Sequence, residues 1–216
     1  MPARQPTIIL ASRSERRACL LRQAGYEFVQ ADPPYADPPQ PESAGHPEAM
    51  TMELAERKAR SLQDAGAFLD YPDGLILAAD TVCVSADGRL LGQPSSREDA
   101  AAMIGSFIRQ PHRVITGVAL VSRNDVHPHV FADMAVVVME NIAPREIELY
   151  LDTQQWRGKA GGYNLFDRLE AGWTIHVQGD PTTVVGLPMR KLKTFFDQRS
   201  IYPAVVPTDT SAPFQA

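Results

Sequence analysis

Asp80 follows the apolar run Leu75-Ile76-Leu77-Ala78-Ala79 and precedes Thr81-Val82-Cys83-Val84. A carboxylate is thus set into a stretch with the composition of a buried strand. Burying an unpaired charge is costly, so such a group is kept with a partner, a metal or a task. Two readings are open: a carboxylate satisfied by backbone N–H groups at a sheet edge, or one that does chemistry. A second cluster, Ser12-Arg13-Ser14-Glu15-Arg16-Arg17, lies at a strand-to-helix junction. Hydroxyls and free backbone N–H groups at a helix N-terminus favour an anion, and the arginines add full charges. Cations in a first turn oppose the helix dipole by about 0.3–1 kcal/mol each. Their placement against that preference favours an anion site over a plain solvated helix start.

Three further segments carry polar or permissive residues. Lys58 lies in Leu54-Ala55-Glu56-Arg57-Lys58-Ala59, where a solvated helix face would explain it equally well. In Lys159-Ala160-Gly161-Gly162-Tyr163 the paired glycines allow close approach of backbone to a ligand, and the lysine can meet phosphate. A flexible surface loop is the alternative. In Gly179–Pro188 the glycines and prolines read as turn and packing residues; Thr182 and Thr183 could contact a ligand, but structural duty is the expectation. No P-loop, dinucleotide fingerprint or zinc spacing is present. The histidines at 46, 112, 127, 129 and 176 are scattered, and His127-Pro128-His129 reads as surface hairpin turn.

The elements that must position these residues follow from pattern. Thr7–Ala11 reads as a strand, and Glu15–Ala24 as a helix capped by Ser14 and stopped by Gly25. Asp32–Pro47 is proline-rich and extended, long enough for a flap over a site. A long helix is expected over Glu48–Ala67, then the Leu75–Val84 strand, and a tight turn at Asp87-Gly88 leading into Arg89-Leu90-Leu91. Ser95 or Ser96 caps a helix reaching Phe107. Val114–Ser122 and Val130–Met139 flank Asn124-Asp125 and should pair antiparallel. A short helix is expected from Pro144 to Asp152, a strand over Thr174–Val177 and a last helix over Pro188–Gln198. The pattern predicts an α/β fold with a mixed sheet. The domain should run over residues 1–202, with a Pro-rich, disordered tail at 203–216.

The 216-residue chain is 44% hydrophobic and 22% charged, the balance of a globular protein. A net charge of −5 argues against a general nucleic-acid binder, but leaves room for a local basic pocket. Cys19 and Cys83 have neither metal-ligand nor disulfide spacing and read as free, buried thiols in a reducing compartment. The apolar run at the N-terminus is too short for a signal-peptide core, and no segment is long enough for a membrane helix. A cytoplasmic protein is expected.

Taken in order, seven stretches resemble the Maf family of nucleoside triphosphate pyrophosphatases. They are Leu10–Arg17, Leu54–Ala59, Ala79–Val82, Leu91-Gly92-Gln93-Pro94, His112–Gly117, Lys159–Tyr163 and Val184–Pro188. Each is weak alone, and together they cover about residues 7 to 192. The resemblance implies an elongated mixed sheet with flanking helices, two lobes around a central cleft, similar to inosine-triphosphate pyrophosphatases. It implies hydrolysis between the α and β phosphates with a divalent metal, Mg²⁺ or Mn²⁺, and often a homodimer. By the same resemblance Asp80 is the catalytic acid/base residue, either as general base or as holder of a metal-bound water. Ser12, Arg16, Arg17, Lys58 and Lys159 hold the phosphates, and Thr81 helps to set specificity.

Two departures stand out. Gln93 replaces the lysine that many members carry in the Gly-Lys-Pro segment. Leu165-Phe166-Asp167 occupies the place of Ile-Gln-Gly in the dTTP/UTP subgroup and of Ser-Glu-Gly in the 7-methyl-GTP subgroup. Val177-Gln178-Gly179 looks similar but is not the counterpart. Phe166 cannot hydrogen-bond a base edge, though its ring can stack on one. The leading function is a nucleoside triphosphate pyrophosphatase. The competing one is a nucleotide-binding regulatory protein of low activity, linked to septum formation. A phosphatase with a covalent aspartyl nucleophile fits poorly, because Asp80 is followed by Thr81-Val82 rather than by a second aspartate.

Overall fold

A computed structural model describes residues 5–36 and 45–204. The elements, in chain order, are β1 (Ile8–Ala11), α1 (Glu15–Gln23), β2 (Phe28–Ala31), α2 (Pro47–Asp64), α3 (Ala67–Asp70), β3 (Leu75–Val84), β4 (Leu90–Leu91) and α4 (Arg97–Phe107). They continue with β5 (Pro111–Ser122), β6 (His129–Met139), α5 (Pro144–Asp152), α6 (Leu165–Glu170), β7 (Ile175–Gln178), α7 (Pro181–Val185) and α8 (Met189–Gln198). A 3₁₀ turn at Ala160–Gly162 precedes α6.

The strands form one mixed sheet in the order β2-β1-β3-β5-β6-β7, with β4 paired to β3. β1 runs parallel to both β2 and β3, whereas β3, β5, β6 and β7 are successively antiparallel. The period of two along β1 and β3 divides the interior. Ile8, Leu10, Leu75, Leu77 and Ala79 join the larger core with residues of α1, α4, α5 and α8. Ile9, Ala11, Ile76 and Ala78 meet Ala55, Ala59 and Leu62 of α2 on the other face. Being covered on both sides, β1 is apolar throughout.

Most expected elements are present, with ends moved by one to three residues. Ser14 caps α1 by accepting from the Arg17 N–H, and Ser96 caps α4 through Asp99. Four features differ from expectation. The strand β2 was not foreseen; it is a short, half-exposed edge whose pattern lacks alternation. The long helix breaks after Asp64, and Gly66, at φ +89°, starts the separate turn α3. α6 stands between the Gly-rich segment and the Thr174–Val177 strand, where no element was expected, and α7 where turn residues were expected. Cys19 is exposed on the outer face of α1, not buried, whereas Cys83 is buried and its thiol is pushed up to about 12 by desolvation. Most of the expected flap and tail, residues 37–44 and 205–216, lies outside the described residues.

Candidate active site

The site is built around a gap along one edge of β3. β1 pairs with β3 only over Leu75–Leu77, and β4 only over Cys83–Val84. Between them, residues 78–82 have no strand partner on that edge among the described residues, while β5 pairs with the whole opposite edge. Asp80 and Thr81 occupy this window. The N-terminus of α1 follows the carboxyl end of β1 directly, the usual place for a ligand crevice in a sheet with parallel strands. Residues from the 12–17 segment, Lys58, Gln93 and the Gly158–Asn164 segment line the opening. Asp32, Pro33 and Tyr35, from the start of the proline-rich loop, close its outer side.

Asp80 points to the α2 face and is 8% exposed. Its Oδ1 accepts from Lys58 Nζ at 2.6 Å. Gly117 makes this possible: it is the cross-strand neighbour of Asp80, and a Cβ there would lie 2.2–2.4 Å from the Thr51 and Met52 backbone. The missing side chain lets α2 rest on the sheet and deliver Lys58 two turns further on. The second carboxylate oxygen, Oδ2, is buried without a hydrogen-bond partner. A buried acceptor left open in a cleft fits a water, a phosphate-bridging cation or both. Among the described residues no group of three or more His, Cys, Asp or Glu could hold a metal. Carboxylate oxygens suit a hard divalent cation, and Asp80 Oδ2 could contribute one such oxygen.

Arg17 is fixed from three sides. Its Nε donates to Gly186 O at 2.8 Å, Nη1 to Ser12 Oγ at 3.2 Å and Nη2 to Thr81 Oγ1 at 3.1 Å. Gly186 ends α7 at φ +107°, and a Cβ on it would stand 3.1 Å from Thr81 Oγ1 and 3.2 Å from Arg17 Nε. Ser12 also accepts from the Ser14 N–H, so its hydroxyl braces the turn into α1. Thr81 faces the opposite side of β3 from Asp80 and lies 2.9 Å from Thr116, its partner on β5. The structural duty expected of Thr182 and Thr183 is seen. Thr182 is tied to Asp180 and to the Met189 N–H, and the Thr183 carbonyl accepts from Thr116.

Arg16 lies at the rim and donates to Gly158 O at 3.1 Å. Burial lowers its pKa, opposed by Asp167 and Tyr150. Lys159 is placed differently. Its ammonium donates to the Gln155 carbonyl, and burial followed by repulsion from Arg16 lowers its pKa. The structure thus gathers Ser12, Arg16, Arg17, Lys58, Asp80 and Thr81 in one cleft, with Lys159 beside Arg16 and turned to its own loop. Gln93 is an exposed part of the lining. Phe166 packs from α6 against the larger core. Asn164, two residues earlier, lines the cleft instead, as does Tyr163. Tyr163 is held from below by His112 Nε2 at 2.8 Å. Residue types alone did not single out Asn164, Thr116, Gly158 or Gly186; position directly after the Gly-Gly-Tyr run was the one available sign for Asn164.

The sequence model of the family described as Maf-like protein matches residues 7–199. A dTTP/UTP pyrophosphatase of Shouchella clausii is 32% identical, over 92% of this chain and 98% of that one. One from Symbiobacterium thermophilum is 36% identical, over 85% of this chain and 89% of its own length. One from Rhodopirellula baltica is 39% identical, over 86% and 79%.

Proposed function

Because the chain belongs to the Maf-like protein family, we propose that its cleft hydrolyses nucleoside triphosphates to the monophosphate and pyrophosphate. One observation carries the reading: a buried carboxylate with one oxygen on Lys58 and the other open, facing the same crevice as Arg17 and Arg16. Cleaving a phosphoanhydride requires neutralising a polyanion and activating water. The arginines and Lys58 meet the phosphates. Asp80 Oδ2 takes the proton of the water that attacks the α-phosphorus, and the bond from that phosphorus to the α–β bridging oxygen breaks. Lys58 holds the carboxylate in place for that transfer.

A divalent cation, Mg²⁺ or Mn²⁺, belongs to this reading, with the substrate phosphates as its holders; Asp80 Oδ2 would join them only if the carboxylate placed a metal-bound water instead of taking the proton itself. When bound it supplies positive charge against the developing negative charge on the phosphates. The relatives named for dTTP and UTP make those two nucleotides the first substrates to try. The reading also includes a cytoplasmic homodimer without a nucleic-acid partner. The net charge of −5 supports the last point, and among the described residues no helix is long and apolar enough to cross a membrane.

The deciding experiment offers canonical, methylated and deaminated nucleoside triphosphates with Mg²⁺ or Mn²⁺ and scores pyrophosphate against orthophosphate. Pyrophosphate release is expected. Orthophosphate alone would overturn the assigned bond, and tight binding without turnover would favour a regulatory nucleotide-binding protein.

A further inference from the structure

We propose that Thr116 is a positioning residue for Arg17, acting through the direction of a hydroxyl chain that crosses the sheet. The inference rests on the reading above only in that Arg17 meets an anionic phosphate.

The direction follows from counting protons. Thr116 Oγ1 carries one hydrogen, and it donates at 2.8 Å to the carbonyl oxygen of Thr183, which can only accept. In the 2.9 Å contact between Thr81 Oγ1 and Thr116 Oγ1, the donor is therefore Thr81. That commits the one proton of Thr81 as well. Toward the cleft Thr81 presents lone pairs alone, and one of them faces Arg17 Nη2 at 3.1 Å. Arginine only donates, so the chain runs one way: Arg17 to Thr81 to Thr116 to the Thr183 carbonyl. Hydrogen bonds aligned head to tail polarise one another.

The far end is also fastened. Thr183 Oγ1 donates to Asp133 Oδ2 at 2.5 Å, and Asp133 Oδ1 is 2.7 Å from Lys191 Nζ. Asp133 is the cross-strand neighbour of Thr116 on β6, as Thr116 is of Thr81 on β5. Thr116 and Thr183 have no exposed surface. Gly186, which accepts from Arg17 Nε, ends the helix that contains Thr183. Thr116 thus anchors α7 and sets the polarity of Thr81, and both effects converge on the guanidinium. Thr81 on this account shapes phosphate binding by holding Arg17 and has no proton to offer a phosphate oxygen.

Replacing Thr116 by valine removes the acceptor for the Thr81 proton, which is then free to turn toward Arg17. The test measures inorganic pyrophosphate binding by calorimetry, and KM and kcat for dTTP with Mg²⁺, in wild type, Thr116→Val and Thr116→Ser. For Thr116→Val, the Kd for pyrophosphate and the KM should rise about tenfold, the effect of one good hydrogen bond, with kcat little changed. Thr116→Ser should restore both. Wild-type Kd and KM in Thr116→Val would overturn the proposal, whatever happens to its melting temperature. So would a serine variant no better than the valine. Should Thr116→Val not fold, Val against Ser at Thr81 gives the same comparison, and wild-type binding by Thr81→Val would overturn the chain. A wild-type protein that binds pyrophosphate in a Thr116-dependent way but turns over no triphosphate would uphold the chain and remove the enzymatic reading. A wild type that hydrolyses triphosphates with a Thr116→Val variant equal to it would do the reverse.

Discussion

Gly117 stands directly across the β3–β5 ladder from Asp80, and the Thr51 backbone fills the space that a side chain there would need. The pair links the packing of a helix to the placing of a charge. Gly117→Ala should push α2 away from the sheet and draw Lys58 off Asp80. Overpacking of this kind costs about 1–3 kcal/mol, and the contact here is with backbone, which cannot swing aside. Chemical denaturation should show that loss, together with a fall in turnover. An alanine variant of wild-type stability and rate would break the link.

Asp80→Asn keeps the shape of the side chain and removes its charge. Loss of a positioned general base costs about 10²–10⁴-fold in rate. Pyrophosphate release should fall by that order, while triphosphate binding, measured by calorimetry, survives. The Lys58 ammonium then faces a neutral amide in a largely buried place, so the melting temperature should drop as well. An asparagine variant with full pyrophosphate release would remove Asp80 from the mechanism.

Gln93 lines the cleft and is exposed there. Gln93→Lys adds a cation to a site already meant for a polyanion. The KM for triphosphate should fall severalfold at low ionic strength. The gain should shrink in salt, because an exposed charge is screened beyond about 8–10 Å at 0.1–0.15 M. A KM unaffected at any ionic strength would show that phosphate does not reach this side of the opening.

His112 is buried beneath the cleft, stacked on Phe107 at 3.8 Å and bonded to Tyr163. Burial lowers its pKa to about 3. The unfolded chain, with an ordinary histidine near 6.5, binds the proton first as pH falls. His112 therefore contributes full stability above about pH 6.5 and loses it progressively down to about pH 3, by up to ~1.4 kcal/mol per pH unit. Unfolding free energies between pH 7 and 4 should show this slope, and His112→Gln should reduce it. An unchanged slope in the variant would assign the acid sensitivity to other groups.

What was legible in the chain followed from local chemistry. The run around Asp80, the caps at Ser14 and Ser96 and the turn glycines Gly25 and Gly88 are settled within a few residues, and these stand where the pattern put them. β2 escaped because a four-residue edge strand has little pattern, and its partner β1 lies across a helix. Cys19 was misplaced because free cysteines are usually buried, whereas Ala18, Leu20 and Leu21 already fill the inner face of α1. The site divides in the same way. Arg16, Arg17 and Ser12 advertise themselves by their place at a helix start. The hydroxyl chain could not be read, since Thr81, Thr116 and Thr183 meet only through strand register and the return of α7. Phe166 shows the opposite limit. Its type suggested stacking on a base, but the turn into α6 sends it toward the core and leaves Asn164 at the opening.

The gap along β3 has a mechanical consequence. The strand is gripped on both edges at Leu75–Leu77 and at Cys83–Val84, and on one edge only between them. A ribbon held in this way bends most easily at its half-held middle, and that middle contains Asp80 and Thr81. The carboxylate can follow an incoming phosphate without breaking any ladder hydrogen bond. The compliance of β3 beside the cleft is thus set by where its neighbours stop.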